Sequence, residues 1–287
     1  SERAACFTKF AELLEANKDS LARALSQEQG KPLQPFALGE LGSAIAKAKA
    51  CAKPESEVKP ETFKENEKGR CVCIYAPRGV VVGICPWNFP VMIGVNKMLS
   101  PLVAGNTTVV KPSPNTPLAT VMLSSLAAEA FPAGVVNIVT GGNDVGQLLV
   151  EHPDVTTITF TGSNATGKKI MSAASSGLKK VLLELGGNDP AIVLPGSNVK
   201  ALAPQLFQKA MFNTGQVCVA LKRLYVHSSQ YDDMVAALGA EAEKNLKFVG
   251  DGLVAGTKYG PLNNEMQRDR IEELVNDAKA NGARVVD

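Results

Sequence analysis

Cys218 stands at the end of the run Gly215-Gln216-Val217-Cys218, a thiol placed directly after a glycine turn. Near a helix end such a thiol can be held exposed and deprotonated, which is what makes a cysteine a nucleophile. Taken alone, an ordinary buried cysteine is the plainer reading. Glu184 lies 34 residues earlier, after the apolar run 181–183 and before Leu185-Gly186-Gly187. A carboxylate flanked by hydrophobic residues is expected to have its pKa raised toward the range useful to a general base. Its alternative is a strand-end glutamate facing solvent. Asn88 sits in Pro86-Trp87-Asn88-Phe89-Pro90, where two prolines and an aromatic ring fix the loop. A rigid amide donor is what an oxyanion hole requires, although a turn asparagine would look the same.

Three more loops carry groups suited to a phosphate-bearing ligand. Lys111 ends the strand-like run 107–110 and is pinned by Pro112 and Pro114, a point charge for a ribose hydroxyl or a phosphate. Thr140-Gly141-Gly142 is followed by Gly146, and Phe160-Thr161-Gly162-Ser163 by Gly167. In the latter a glycine and a hydroxyl open a helix, whose first backbone N–H groups can cradle an anion. None of these is the GxGxxG fingerprint. Any one of them alone is a tight turn; three on successive strands favour a ligand.

The elements that must position these residues alternate. Residues 1–53 read as two or three helices broken at Gly30 and Pro32, and 54–69 as a polar surface linker. Two β-rich runs, 70–76 and 79–85, are split by Pro77-Arg78-Gly79. A helix over 91–103 then leads to a strand at 107–110, and one over 116–130 to a strand at 135–139. A short helix leads to 156–160, and a helix over 164–176 to 180–183. Strands at 191–194 and 224–227 follow, with a helix to about 212 between them and helices near 229–245 and at 264–281 after them, and 285–287 opens another strand. This rhythm predicts an α/β fold with a parallel sheet covered on both faces. Ligands bind such sheets in the loops at the strands' carboxyl ends, where the residues singled out above fall.

Composition narrows the function classes. The 287 residues are 45% hydrophobic, enough for one large or two ordinary domains. Net charge is only +2 with cations scattered among anions, so no nucleic acid or anionic membrane is expected as partner. The longest apolar run, around 79–84, is far short of the ~20 residues that span a bilayer. Six cysteines without a CxxC pair point to a reducing compartment, hence a cytoplasmic setting. His152 and His227 lack metal-ligand spacing, no GxSxG elbow is present, and no metal site is expected.

Taken together, PWNFP (86–90), KPSPNTP (111–117), FTGS (160–163), LELGG (183–187) and FNTGQVC (212–218) resemble the aldehyde dehydrogenase superfamily in order and approximate spacing. The similarity runs over essentially the whole chain and includes GPLNNE (260–265). It implies a Rossmann-like NAD(P)-binding domain over 1–183, with a β-rich oligomerisation arm near 54–78, and a catalytic domain over 184–287 that is incomplete. By motif, Cys218 becomes the nucleophile, Asn88 and the Cys218 N–H the oxyanion donors, and Glu184 the base that activates water. Lys111, Gly142, Gly162, Ser163 and Gly167 fall at cofactor-contacting positions, with Ile84 and Trp87 lining the same cleft. The resemblance implies oxidation of a small-molecule aldehyde to the carboxylic acid through a Cys218 thioester, by a homo-oligomer. NAD⁺ is expected. NADP⁺ is the alternative, because Pro114 occupies a position where many NAD-preferring members carry a glutamate. Family subunits are longer at both ends, so the chain is expected to be a fragment, inactive or nearly so by itself. A coenzyme A-acylating dehydrogenase and a non-catalytic truncated pseudoenzyme are the competing readings.

Overall fold

The computed structural model describes residues 2–286. The chain divides into two compact units. The first takes the chain up to Leu25 together with Leu38–Leu185, and the second takes Ser26–Ala37 and the chain from Gly186 onward.

The first unit opens with helices α1 (Glu2–Ala16), α2 (Lys18–Gln29), within which the chain passes to the second unit, and α3 (Leu38–Cys51). The break between α2 and α3 includes Gly30 and Pro32, as the sequence predicts. Strands β1 (Glu61–Asn66) and β2 (Gly69–Cys73) then form an antiparallel hairpin. β1 corrects the reading of 54–69 as linker. All six of its residues are exposed, so no apolar alternation marks it, and pairing with β2 is what makes it a strand.

The rest of this unit is β3 (Val80–Ile84), α4 (Pro90–Val103), β4 (Thr107–Lys111), α5 (Leu118–Ala130), β5 (Val136–Ile138), α6 (Asn143–Glu151), β6 (Val155–Thr161), α7 (Asn164–Ser175) and β7 (Lys180–Glu184). The five strands form one parallel sheet in the order β5-β4-β3-β6-β7. Chain order therefore runs outward from β3 through β4 to β5, then returns to the other side of β3 for β6 and β7. The reversal lies between β3 and β6, the point at which open α/β sheets bind ligands.

Strand pleating assigns the two faces. Val80, Val82, Ile84, Ile158, Phe160, Val181 and Leu183 belong to a core with Val150 of α6 and Ile170 and Ala174 of α7. The intervening residues Gly83, Thr159 and Glu184 therefore point to the opposite face. There Lys97 of α4 reaches Thr159, its Nζ donating to Oγ1 at 2.9 Å.

The second unit holds β8 (Asp189–Val193), α8 (Val199–Ala210), β9 (Leu221–Val226), α9 (Tyr231–Leu246) and α10 (Glu265–Ala280). β8 and β9 pair in parallel, and Val193, Ala203 and Met234 bury their side chains among Leu202, Leu206, Leu224 and Val226. The strand expected at 285–287 is not found at Val285 and Val286, which pair with no neighbour among the described residues. Valines extend readily, but a strand needs a hydrogen-bonded partner. Asp287 lies outside the described residues.

Candidate active site

In the first unit the predicted residues gather at the carboxyl ends of the sheet. Ile84 is the last residue of β3, and half-buried Trp87 and Asn88 lie in the loop after it. Asn88 Oδ1 accepts the Phe89 N–H at 3.0 Å. That local bond holds the plane of the amide. The helix that follows has no cap of its own at Phe89. Its first N–H groups are met instead by buried Glu40 of α3, whose Oε1 accepts from Val91 at 2.9 Å and Met92 at 3.0 Å. A carboxylate on a helix N-terminus is favourable for both hydrogen-bonding and dipole reasons. Glu40 went unnoticed in the sequence because its partners are 51 and 52 residues away.

Lys111 is the last residue of β4 and is buried. Its Nζ donates to the Pro112 carbonyl at 3.3 Å, and its aliphatic stem runs beside Gly146 of α6. Burial lowers its pKa, while Cys85 and Asp144 pull it back up. Gly142 is the N-cap of α6. Ser163 caps α7, its Oγ accepting from the Thr166 N–H at 3.2 Å, which is the hydroxyl-opened helix expected from the sequence. Gly162 donates its N–H to the Glu184 carbonyl at 3.0 Å. That bond ties the loop after β6 to the end of β7. Gly167 is buried and packs beneath Leu185.

Glu184 ends β7 on the α4 face, and its side chain is exposed. This corrects the expectation of an apolar setting. The flanking Leu183 and Leu185 turn toward the α6–α7 core, and alternation puts the carboxylate between them on the other side. Lys97 lies on that same face and was missed in the sequence, because a lysine inside an apolar helix gives no sign of where its amine ends. Gly83 makes room for it: a Cβ there would sit 2.8 Å from Lys97 Cβ. Burial brings the Lys97 pKa down to about 8, against the opposing pull of Cys85 and Glu184. The Cys85 thiol, fully buried, is pushed up to about 12, moderated by Lys97 and Lys111.

Cys218 lies in the second unit, exposed, after the tight turn Phe212–Gly215. The other five cysteines are free thiols as well, with Cys51 and Cys85 buried. The turn is held from within its own unit. Phe212 packs edge-on against Phe36, with ring centroids 5.0 Å apart. The strap around Gly30 and Lys31 threads against Gly252 and Gly260, each so close that a Cβ would strike a strap carbonyl.

The aldehyde dehydrogenase family model matches residues 1–287. A mitochondrial succinate-semialdehyde dehydrogenase of Arabidopsis thaliana is 38% identical over 288 residues, covering 99% of this chain and 54% of its own length. Among solved structures, an Escherichia coli NADP-dependent enzyme superposes with a TM-score of 0.93 at 37% identity, over 100% of this chain and 60% of that one. An NAD⁺ complex of an aldehyde dehydrogenase from Bacillus cereus gives 0.94 at 34% identity, over 99% and 58%. The chain thus spans a little over half the length of the proteins it matches. With the motifs, the sheet order and the match over every residue in agreement, the chain belongs to the aldehyde dehydrogenase family.

Proposed function

We propose that this chain carries the cofactor-binding and nucleophile-bearing parts of an NAD(P)⁺-dependent aldehyde dehydrogenase. The first unit is the cofactor-binding domain and the second the catalytic one. The observation that carries this reading is the exposed Cys218 thiol on a tight turn held from within its unit, in a chain whose parallel sheet presents glycine loops and helix N-termini at its switch point. A nicotinamide dinucleotide fits the residues present. The α7 N-terminus with Gly162 and Ser163, the α6 N-terminus at Gly142, and the Lys111 amine are suited to phosphate and ribose groups. When bound, that group supplies the hydride acceptor of the oxidation.

Cys218 attacks the aldehyde carbonyl and forms a thiohemiacetal. Its oxyanion is held by the Asn88 amide and the Cys218 backbone N–H. Loss of hydride leaves a thioester on Cys218. Glu184, acting as general base, takes a proton from the water that cleaves it, releasing the acid and the thiol. A solvent-facing Glu184 suits a group that must exchange its proton with water between turnovers. The same carboxylate weighs against the competing reading, in which coenzyme A resolves the thioester. The β1–β2 hairpin, in which every β1 residue is exposed while Val72 and Cys73 of β2 are half-buried, is assigned as the oligomerisation arm, and the setting as cytoplasmic.

The test uses the protein as its gene encodes it. Cys218→Ala should lower aldehyde oxidation by more than about 10⁴-fold with dinucleotide affinity retained. Glu184→Gln should keep the first-turnover burst of reduced cofactor and slow the steady state by about 10²-fold or more. Full turnover by Cys218→Ala would end the assignment, and product formation that requires added coenzyme A would replace it with the acylating reaction.

A further inference from the structure

Three consecutive residues before Cys218 hold left-handed backbone: Asn213 at φ 50°, Thr214 at 58° and Gly215 at 75°. Glycine and asparagine enter this region readily. A β-branched threonine does so only where its surroundings over-determine it.

Two sets of hydrogen bonds supply that constraint, one on each side of the thiol. On the N-terminal side, Thr214 Oγ1 donates to the Gly260 carbonyl at 3.1 Å. Gln216 works at both ends of its amide. Its Nε2 donates to the carbonyls of Asn213 at 3.1 Å and Pro261 at 3.4 Å, and its Oε1 accepts the Asn263 N–H at 2.9 Å. Asn263 in turn donates through Nδ2 to the carbonyls of Glu28 and Gln29, each at 3.3 Å. The stretch that grips Gln216 is therefore tied to the strap contributed by the N-terminal part of the chain.

On the C-terminal side a single cation does the holding. Lys222 Nζ donates to the carbonyls of Val217 at 2.9 Å, Cys218 at 2.8 Å and Ala220 at 3.1 Å. An ammonium has three donors, and each finds a carbonyl in the turn that contains the thiol. Bonds from a charged donor are roughly twice as strong as neutral ones. Their direction has a consequence for the site. In a trans peptide the N–H lies antiparallel to the C=O of the same plane. With the Val217 carbonyl drawn to Lys222, the Cys218 N–H points to the opposite side.

We propose that Gln216 and Lys222 are positioning residues for the nucleophile: Gln216 anchors the strained turn to the 260–263 stretch, and Lys222 aims the Cys218 N–H by holding the Val217 and Cys218 carbonyls. The inference rests on Cys218 being the nucleophile. Neither side chain touches the reacting atoms in this account; both act through the backbone of the turn.

Two measurements on the protein as its gene encodes it separate the clamp from its use. The first is hydrogen exchange of the amides over 214–220 in the parent, Gln216→Leu, Lys222→Met and Lys222→Arg. Exchange should quicken about tenfold in Gln216→Leu and Lys222→Met, and stay near the parent in Lys222→Arg, whose guanidinium still donates to several carbonyls. The second is steady-state kinetics. In Lys222→Met, kcat for the aldehyde should fall about tenfold while the KM for the dinucleotide moves less than about twofold, with Lys222→Arg recovering most of the loss.

Unchanged exchange in both disruptive variants overturns the clamp. Faster exchange with parental kcat overturns the positioning role. An active Cys218→Ala protein removes the nucleophile reading instead, while exchange still judges the clamp. Lys222 is exposed, so its variants carry the test even if Gln216→Leu fails to fold.

Discussion

The carboxyl edge of the five-stranded sheet and the turn that carries Cys218 place their candidate site residues by different physical means. At the sheet edge each residue is set by the element beside it. Ile84, Lys111 and Glu184 are the last residues of three strands, and Gly142 and Ser163 are the caps of two helices. The strand residues follow from the ladder and the pleat, and the side-chain bonds of Lys111 and Ser163 are made to residues one and three positions away. The Cys218 turn has no such frame. Its backbone is strained at Thr214, and the groups that hold it come from 260–263, from the 28–32 strap and from Lys222. A regular edge should lose less from a change at any single point. A turn assembled from distant pieces should be sensitive wherever those pieces touch.

The largest effect is expected where two backbones meet. In Gly260→Ala the new methyl would overlap the Gly30 carbonyl oxygen, and neither main chain can swing aside as a side chain can. We expect a loss of about 3 kcal/mol or more, read from urea unfolding followed by circular dichroism. A loss below about 1 kcal/mol would show that the strap shifts freely and that the comparison overstates its role. Gly83→Ala is the counterpart in the sheet. Its methyl meets Lys97 Cβ at 2.8 Å, a side-chain atom at a longer distance than the carbonyl oxygen that Gly260→Ala would strike. A smaller loss, about 2 kcal/mol, is expected from the fluorescence of Trp87, the chain's one tryptophan.

Lys97 offers a pH test of the same face. Its folded pKa is about 8, against an unfolded 10.5. Between those values the unfolded chain binds a proton that the folded chain lacks, so stability rises with pH; the cost of the buried charge is fully present below about 8. Cys85 acts in the opposite sense from pH 9.0 to about 12, where the unfolded thiol gives up a proton that the folded one keeps. From pH 8 to 9 the Lys97 contribution is therefore the cleaner one, up to about 1.4 kcal/mol for that pH unit. Urea midpoints measured across that window should climb in the parent and flatten in Lys97→Met; identical slopes would refute the burial assigned to the amine. The smallest effect belongs to the most regular feature. Ser163→Ala removes one cap bond from α7 and should cost about 1 kcal/mol in thermal unfolding. A cost equal to that of Gly260→Ala would erase the distinction between the two regions.

The sequence by itself determined the parallel α/β order and the family, and it named candidate residues that the structure places at the strand ends and in the loops after the strands. Alternating apolar runs, caps such as Ser163 and the break at Gly30 and Pro32 are written in neighbouring residues, and the structure keeps them. The exposed β1 strand was not legible, because a ladder is a relation between two segments and its side chains show no buried face. Only the tertiary structure decided that Glu184 faces solvent on the α4 side, since its apolar neighbours turn the other way along the pleat. It alone decided that Glu40 caps α4, that Lys97 ends beside Thr159, and that residues 26–37 belong with the second unit. Each of these is a contact between residues far apart in the chain. Local periodicity and turn chemistry carry information over a few residues, whereas a buried amine or a borrowed cap is fixed by whatever the folded chain brings alongside it.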